Sequence, residues 1–322
     1  MVDEIRRVTH VPALAATHAV ELGALGQRLR FETNAPALLA AAEATFGRYA
    51  VPAGGAPLRV QVLVRPGAAA PRSGPHPPVV VHNQGHLVTM QFGVENTAVA
   101  DLHAGFAFAV LSPTMAQDTA FVRYAFIEAL PQILLGGRDY VAIHAACVVK
   151  NGVSLLLCAP AGTGKSTLAF ASLRAGFRVL AEDIVQAHLT PNGVRLWGIP
   201  WLFHLLPDSL RFFPELNGDL PRLQTNGEWK IEIDLDAWQP GSTMTNAAAG
   251  PVVFLERDET RPARLARLPA DEARRRFEAI WSWQLPWKAH YEAQLQRMLA
   301  NGTFVLRMDG RVAAAVGLLE EV

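Results

Sequence analysis

The stretch Val153-Ser154-Leu155-Leu156-Leu157-Cys158-Ala159-Pro160-Ala161-Gly162-Thr163-Gly164-Lys165-Ser166-Thr167 decides how this chain reads. It opens on an apolar run of strand length and closes on the start of a segment with helical periodicity. Between them lies a loop of small residues ending in Gly-Lys-Ser, the setting that a G-x-x-x-x-G-K-[ST] phosphate loop demands. Small residues let successive backbone N–H groups turn inward around a phosphate, and the helix behind them adds the positive end of its dipole. Lys165 supplies a point charge for the β- and γ-phosphates, and the Ser166 hydroxyl reaches Mg²⁺. Ala159, Pro160, Ala161, Gly162, Thr163, Gly164, Lys165, Ser166 and Thr167 are therefore the predicted cradle for ATP and Mg²⁺. Ala159 departs from the motif's first glycine, at a position that carries less of the phosphate contact than Gly162 and Gly164.

Toward the C-terminus the pattern predicts a helix over 165–175, with Leu168, Ala169, Ser172 and Leu173 inward and Gly176 ending it. A strand follows through 177–185, with Glu182-Asp183 near its C-terminal end. In a right-handed strand–helix–strand unit both strands run parallel, so the two acids emerge beside the loop. Neighbouring strand residues point to opposite faces. One acid can then hold the metal while the other faces a phosphoryl acceptor; the plainer alternative is the metal-holding acid of any P-loop ATPase. Toward the N-terminus, Asn151-Gly152 is the preferred two-residue hairpin turn. The register it imposes pairs Lys150 with Val153 and Val149 with Ser154, and carried onward sets His144 opposite Ala159, level with the loop.

Further strands are predicted near 142–149, 252–256 and 303–308, and helices over 270–283 and 287–299, the last capped by Asn301-Gly302. Alternating strands and helices indicate α/β layers over 138–322. Residues 1–137 read as a small α+β domain of unknown role. A helix starts there at Asn34-x-Pro36 with Leu38, Leu39, Ala42 and Phe46 on one face. Strands fall near 58–64, 79–82 and 86–92, between Pro/Gly-rich loops at 51–57 and 66–78. A helix over 118–135 has Phe121, Tyr124, Ala125 and Leu135 inward, a kink at Pro131 and Gly136-Gly137 at its end.

The 322 residues are 50% hydrophobic and 18% charged, with 29 basic side chains against 29 acidic ones. Zero net charge argues against a nucleic-acid partner and an anionic membrane surface, because phosphate affinity rests on a basic excess. The apolar fraction excludes a disordered chain. No run is long and apolar enough to span a bilayer, the start lacks a signal-peptide pattern, and a reducing cytoplasm is the expected home. Two cysteines, Cys147 and Cys158, make neither a disulfide framework nor a four-ligand zinc site and read as core.

These residues together resemble the HPr kinase/phosphorylases and their broader relatives, including the kinases of peptide-modifying gene clusters such as lasso-peptide kinases. The likeness rests on His144 opening the strand before the loop, on Gly-Lys-Ser, and on an Asp-Asp-like pair one short helix later, and runs ungapped from His144 to Val185. It implies an α/β fold: a P-loop kinase core of the HPr kinase/PEP carboxykinase type with a small N-terminal α+β domain. It implies that Lys165 binds phosphate, that Ser166 and Glu182 serve the metal, that Asp183 is the catalytic base, and that His144 lines the centre and orients Asp183. Glu182 replaces the first Asp of the family pair. The family's acidic and basic signature places are taken here by Arg195 and Trp197 within Val194-Arg195-Leu196-Trp197-Gly198-Ile199.

The expected activity is transfer of the γ-phosphoryl group of ATP to a serine-like hydroxyl of a peptide, small protein or small metabolite. The alternative is a non-catalytic nucleotide-binding sensor; a carboxykinase-like enzyme lacks a placeable arginine-lined pocket. Lys230 is a candidate phosphate contact, with a solvated strand edge as the plainer reading. Arg274, Arg275 and Arg276 read as the wet face of a helix with Phe277, Ile280 and Trp281 inward. Trp281, Trp283 and Trp287 read as sheet cover or as the surface of a homo-oligomer. His188, His204 and His290 have no metal-ligand spacing.

Overall fold

The computed structural model describes residues 14–71, 74, 76–200, 202–216, 218–224, 227–280 and 288–322, with residues 280 and 288–290 described by backbone alone. The expectations for Trp281, Trp283 and Trp287, and for the side chains of Ile280 and His290, fall outside this set. The chain divides into two compact units, one ending at Leu134 and the other beginning at Leu135.

The first unit holds a seven-stranded sheet in the order β1-β2-β3-β7-β6-β5-β4. The strands are β1 (His18–Ala24), β2 (Gln27–Thr33), β3 (Leu58–Val64), β4 (Val79–Gln84), β5 (Leu87–Phe92), β6 (Asn96–Asp101) and β7 (Phe106–Leu111). Strands β6 and β7 bury small residues, Ala98, Ala100, Ala107 and Ala109, with Leu111 closing the row, while Phe106, Phe108 and Val110 alternate on the half-buried face of β7. The first helix covers Pro36–Phe46 and buries Leu38, Ala42 and Phe46. Asn34 does not cap it; its side-chain amide instead exchanges two 2.8 Å hydrogen bonds with the backbone of Val64. The helical segment holds a π-helical turn, Arg123–Glu128, ahead of Pro131, between Thr119–Val122 and Ala129–Leu135. The wider turn shifts the phase of the buried face, so Phe121 and Ala125 are buried while Tyr124 is 53% exposed, against its expected inward position.

The second unit is mixed α/β with several sheets. A six-stranded sheet has the order β11-β9-β10-β18-β20-β19, built from β9 (Ala146–Lys150), β10 (Val153–Cys158), β11 (Arg178–Ala181), β18 (Val252–Arg257), β19 (Arg264–Arg267) and β20 (Thr303–Met308). Alternate residues of its central strands serve two cores. Val148, Leu155 and Leu157 pack under the helices Lys165–Leu173 and Val312–Leu319. Cys147, Val149, Leu156 and Cys158 pack under Ala270–Ile280 and Lys288–Leu299, where Ala273, Phe277, Leu295 and Met298 are buried. Burial on both faces explains the unbroken apolar runs. Both cysteines are free and buried, and burial pushes the Cys158 thiol up to about 12. Arg274, Arg275 and Arg276 are paired with acids, among them Glu278, Asp271 and Glu272. Among the described residues no helix is long and apolar enough to cross a membrane.

The hairpin has the predicted register, Val153↔Lys150 through Leu157↔Ala146, with Asn151 and Gly152 at positive φ of 52° and 81°. Two expectations need correction. Residues 142–149 are not one strand: β8 (Tyr140–His144) and β9 belong to different sheets. Residues 177–185 are likewise cut, into β11 and β12 (Ile184–Thr190), with Glu182-Asp183 in the break rather than on a strand. An apolar run cannot announce a change of sheet when both halves stay buried. Strands β8 and β12 join β13 (Gly193–Trp197) and β17 (Asn246–Ala248) in a second sheet, and β14 (Leu202–Leu205), β15 (Arg222–Leu223) and β16 (Trp229–Asp234) form a third. Strand β9 lies between β10 and β11 and is antiparallel to both, so β10 and β11 run parallel without touching and end on one edge.

Gly198 holds that edge in place. A Cβ there would stand 2.0 Å from the carbonyl oxygen of Leu180 and 2.8 Å from Cβ of Ala181, the residues just before the acids. Gly198→Ala should therefore destabilise the unit by about 1–3 kcal/mol, read as a lowered urea midpoint; an unchanged midpoint would mean that the two segments do not approach this closely.

Candidate functional site

The site assembles where β10 and β11 end. After Cys158 the chain leaves the sheet through the glycine loop, in which Gly162 and Gly164 take positive φ of 76° and 111°, conformations that favour glycine. The helix Lys165–Leu173 then starts, and its first residue turns back: Lys165 is only 6% exposed. Its Nζ donates to the carbonyls of Ala159 at 2.8 Å and Pro160 at 3.3 Å, and to His144 Nε2 at 3.1 Å.

His144 reaches this point by a different route from the one its sequence register suggests. The β9–β10 ladder ends at Ala146, and His144 pairs with Ile184 in the second sheet. Both chain segments change sheets here side by side, and the amide of Ala145 donates to the carbonyl of Asp183 at 3.0 Å. The His144 ring bridges Lys165 and Asp183, with Nδ1 3.1 Å from Asp183 Oδ1. A neutral ring satisfies both contacts: Nδ1–H donates to the carboxylate, and Nε2 accepts from the ammonium.

The two acids take separate partners, although they lie in the break between strands and not on alternate faces of one. The Ser166 hydroxyl donates to Glu182 Oε1 at 2.5 Å. Glu182 Oε2 lies 3.5 Å from Nδ1 of His204, whose other nitrogen is 3.9 Å from Glu232 Oε1. A hydroxyl and a carboxylate side by side are hard oxygen donors that suit Mg²⁺, which fills its remaining positions with water and phosphate oxygens. Among the described residues no trio of His, Cys, Asp and Glu forms a closed metal cage. Thr167, at the end of the loop motif, shares a 2.9 Å hydrogen bond with Ser209.

The electrostatics are those of a crowded, partly dry cluster. Burial, and then the adjacent Glu182 charge, raise the Asp183 carboxyl above its ordinary range, although half of its side chain remains accessible. Burial lowers both His144 and Lys165, with Asp183 acting in the opposite direction on each. Lys230, on β16, contributes to all three fields while its ammonium lies 3.2 Å from Glu228. Perturbed titrations gathered in one place are a recognised sign of a functional site. His204 has no ligand spacing in the sequence. Only the pairing of β14 with β16 reveals its place, and no local signal in the sequence could have done so. His188 stays apart, stacked on Tyr140 at 4.2 Å. Arg195 turns to Asn246 at 2.9 Å.

No family model matches the chain. Over 104 residues it is 30% identical to the HPr kinase/phosphorylase of Geobacillus sp. (strain WCH70). The chain is a relative of the HPr kinase/phosphorylases. The matched stretch is 31% of this chain and 33% of that protein, so the chain spans about a third of the length of the curated relative it matches. The solved Hpr(Ser) kinase/phosphatase from Coxiella burnetii aligns with 56% of this chain and 89% of its own, at 13% identity and a TM-score of 0.31.

If the His144 ring donates to Asp183 in solution, removing it withdraws a hydrogen bond from the charged carboxylate. His144→Ala should then move the Asp183 titration to still higher pH, followed by ¹³C NMR of the carboxyl carbon. An unmoved or lowered titration would show that the contact does not form.

Proposed function

We propose that the chain is an ATP-dependent phosphotransferase whose acceptor is a serine-like hydroxyl on a peptide, small protein or small metabolite. The observation that carries the reading is the line Asp183–His144–Lys165 at the mouth of the glycine loop. A carboxylate there is raised toward working pH, oriented by a neutral imidazole, and two contacts away from a phosphate-binding ammonium. The loop amides and Lys165 bind the β- and γ-phosphates, and Lys165 exchanges its bonds to the Ala159 and Pro160 carbonyls for bonds to phosphate oxygens. Ser166 and Glu182 hold Mg²⁺, which when bound neutralises charge on those oxygens. Asp183 accepts the proton of the acceptor hydroxyl as its oxygen bonds to the γ-phosphorus and the bond to the ADP oxygen breaks. Positioning and electrostatics supply most of the acceleration.

The relatives carry HPr in their name. Here Arg195 and Trp197 occupy the signature places, so the reading commits to the donor side and leaves HPr as one acceptor among several. Those same residues, with Ala159 at the first glycine place, favour the second reading, a nucleotide-binding sensor that transfers nothing.

Asp183→Asn separates the two. With γ-labelled ATP, a serine-containing peptide array and a panel of hydroxyl metabolites, the variant should lose roughly 10²–10⁴-fold in transfer, while ATP affinity stays within about twofold of the parent. Equal labelling by both proteins removes the base assignment. A parent protein that binds ATP but labels nothing is the sensor.

A further inference from the structure

The sheet order gives the loop two different flanks. Strand β10 has β9 and β11 on one side and β18 and β20 on the other. The acids follow β11, so the β11 flank marks the end of the cradle where the γ-phosphate and the metal belong. A nucleotide anchored at that end and lying across the loop extends its base toward β18 and β20.

Two side chains wait there. Arg257 and Met308 are the last residues of β18 and β20 and are register partners. Arg257 is exposed, and its Nε–H donates to the carbonyl of Thr163 in the loop at 3.1 Å. A Cβ built on Gly164 would lie 4.0 Å from Arg257 Nη2 and 4.0 Å from Met308 Cε, so both side chains flank the same peptide of the loop. Met308 is seated on the core cluster beneath the loop helix. Among the described residues Arg257 has no carboxylate partner.

We propose that Arg257 and Met308 form the platform on which the purine base of the bound nucleotide stacks. The proposal rests on the reading that residues 159–167 hold the phosphates. A guanidinium is planar and weakly hydrated and stacks on aromatic faces, and a thioether makes favourable contacts with aromatic rings. The bond to Thr163 fixes the guanidinium plane in advance. It also sets Arg257 on the outer side of the loop: the Thr163 carbonyl and the Gly164 N–H belong to one trans peptide and point in opposite directions. A group bonded to the carbonyl is therefore turned away from the phosphate that the N–H faces. Stacking uses the face of the base rather than its hydrogen-bonding edge, so the platform holds adenine and guanine alike.

The test is binding of Mg-ATP, Mg-GTP and Mg-tripolyphosphate to the full chain by calorimetry. The parent should bind both nucleotides within about threefold of each other and more tightly than tripolyphosphate. Arg257→Ala should weaken both nucleotides roughly tenfold and leave tripolyphosphate within about twofold. Arg257→Lys keeps the charge without the plane and should lose nearly as much; Met308→Ala should show the same pattern, less strongly. An equal loss for tripolyphosphate, a full rescue by Lys, or unchanged nucleotide binding overturns the platform. Failure of the phosphate reading looks different: the parent would not bind tripolyphosphate, or Lys165→Ala would leave its binding unchanged.

Discussion

One backbone hydrogen bond ties the candidate site together: the Ala145 amide to the Asp183 carbonyl, 3.0 Å. Taken alone it is worth about 1 kcal/mol. Its importance lies in where it sits. Two chain segments cross between the six-stranded sheet and the second sheet at the same level and in opposite directions, and this bond joins them at the crossing. His144 precedes the crossing on one segment, and Glu182-Asp183 occupy it on the other. Gly198 packs against the carbonyl just upstream, where a side chain would not fit. The imidazole and the two carboxylates are thus aimed by backbone geometry before any side-chain contact is counted.

That geometry brings together charges the fold would otherwise keep apart. The shifts at Asp183, His144 and Lys165 all disfavour the charged form, and burial is the largest cause of each. A carboxyl raised above its unfolded value lowers stability as pH rises through the unfolded value. A lysine lowered below its own lowers stability as pH falls through the unfolded value. Between those limits the two shifts leave the fold less stable than unshifted groups would. Groups shifted in this way by burial and by each other gather at functional sites more often than in plain packing.

Much of this was legible in the residues because it is local. Asn151-Gly152 dictates the hairpin register, the 153–158 run dictates a strand, and Gly-Lys-Ser dictates a loop and a helix start; each expectation uses a few adjacent residues. What was not legible depends on pairing over distance. The split of 142–149 between two sheets is invisible because Val141 and Ile143 are as buried as Cys147 and Val149. His204 enters the site through β16, about 30 residues on, and Arg257 through the neighbour of β10. Strand β6 carries little hydrophobic signal because small residues, Ala98 and Ala100, fill its buried places, whereas Phe106, Phe108 and Val110 give β7 a plain alternation.

Ala159 shows how a fold can accommodate a departure from a motif. The place calls for glycine only if the chain must take positive φ or must lie against a ligand without a Cβ between. Ala159 has neither demand in this structure. Positive φ falls at Gly162 and Gly164. The Ala159 side chain is 2% exposed and belongs to the core cluster beneath the loop helix, beside Leu157 and Leu168. Its backbone does separate work, the carbonyl receiving Lys165 Nζ at 2.8 Å. A methyl group at this point therefore ties the loop to the core while the two glycines keep their freedom. The positions that shape the cradle and the position that anchors it are different residues, and only the first kind is bound to be glycine.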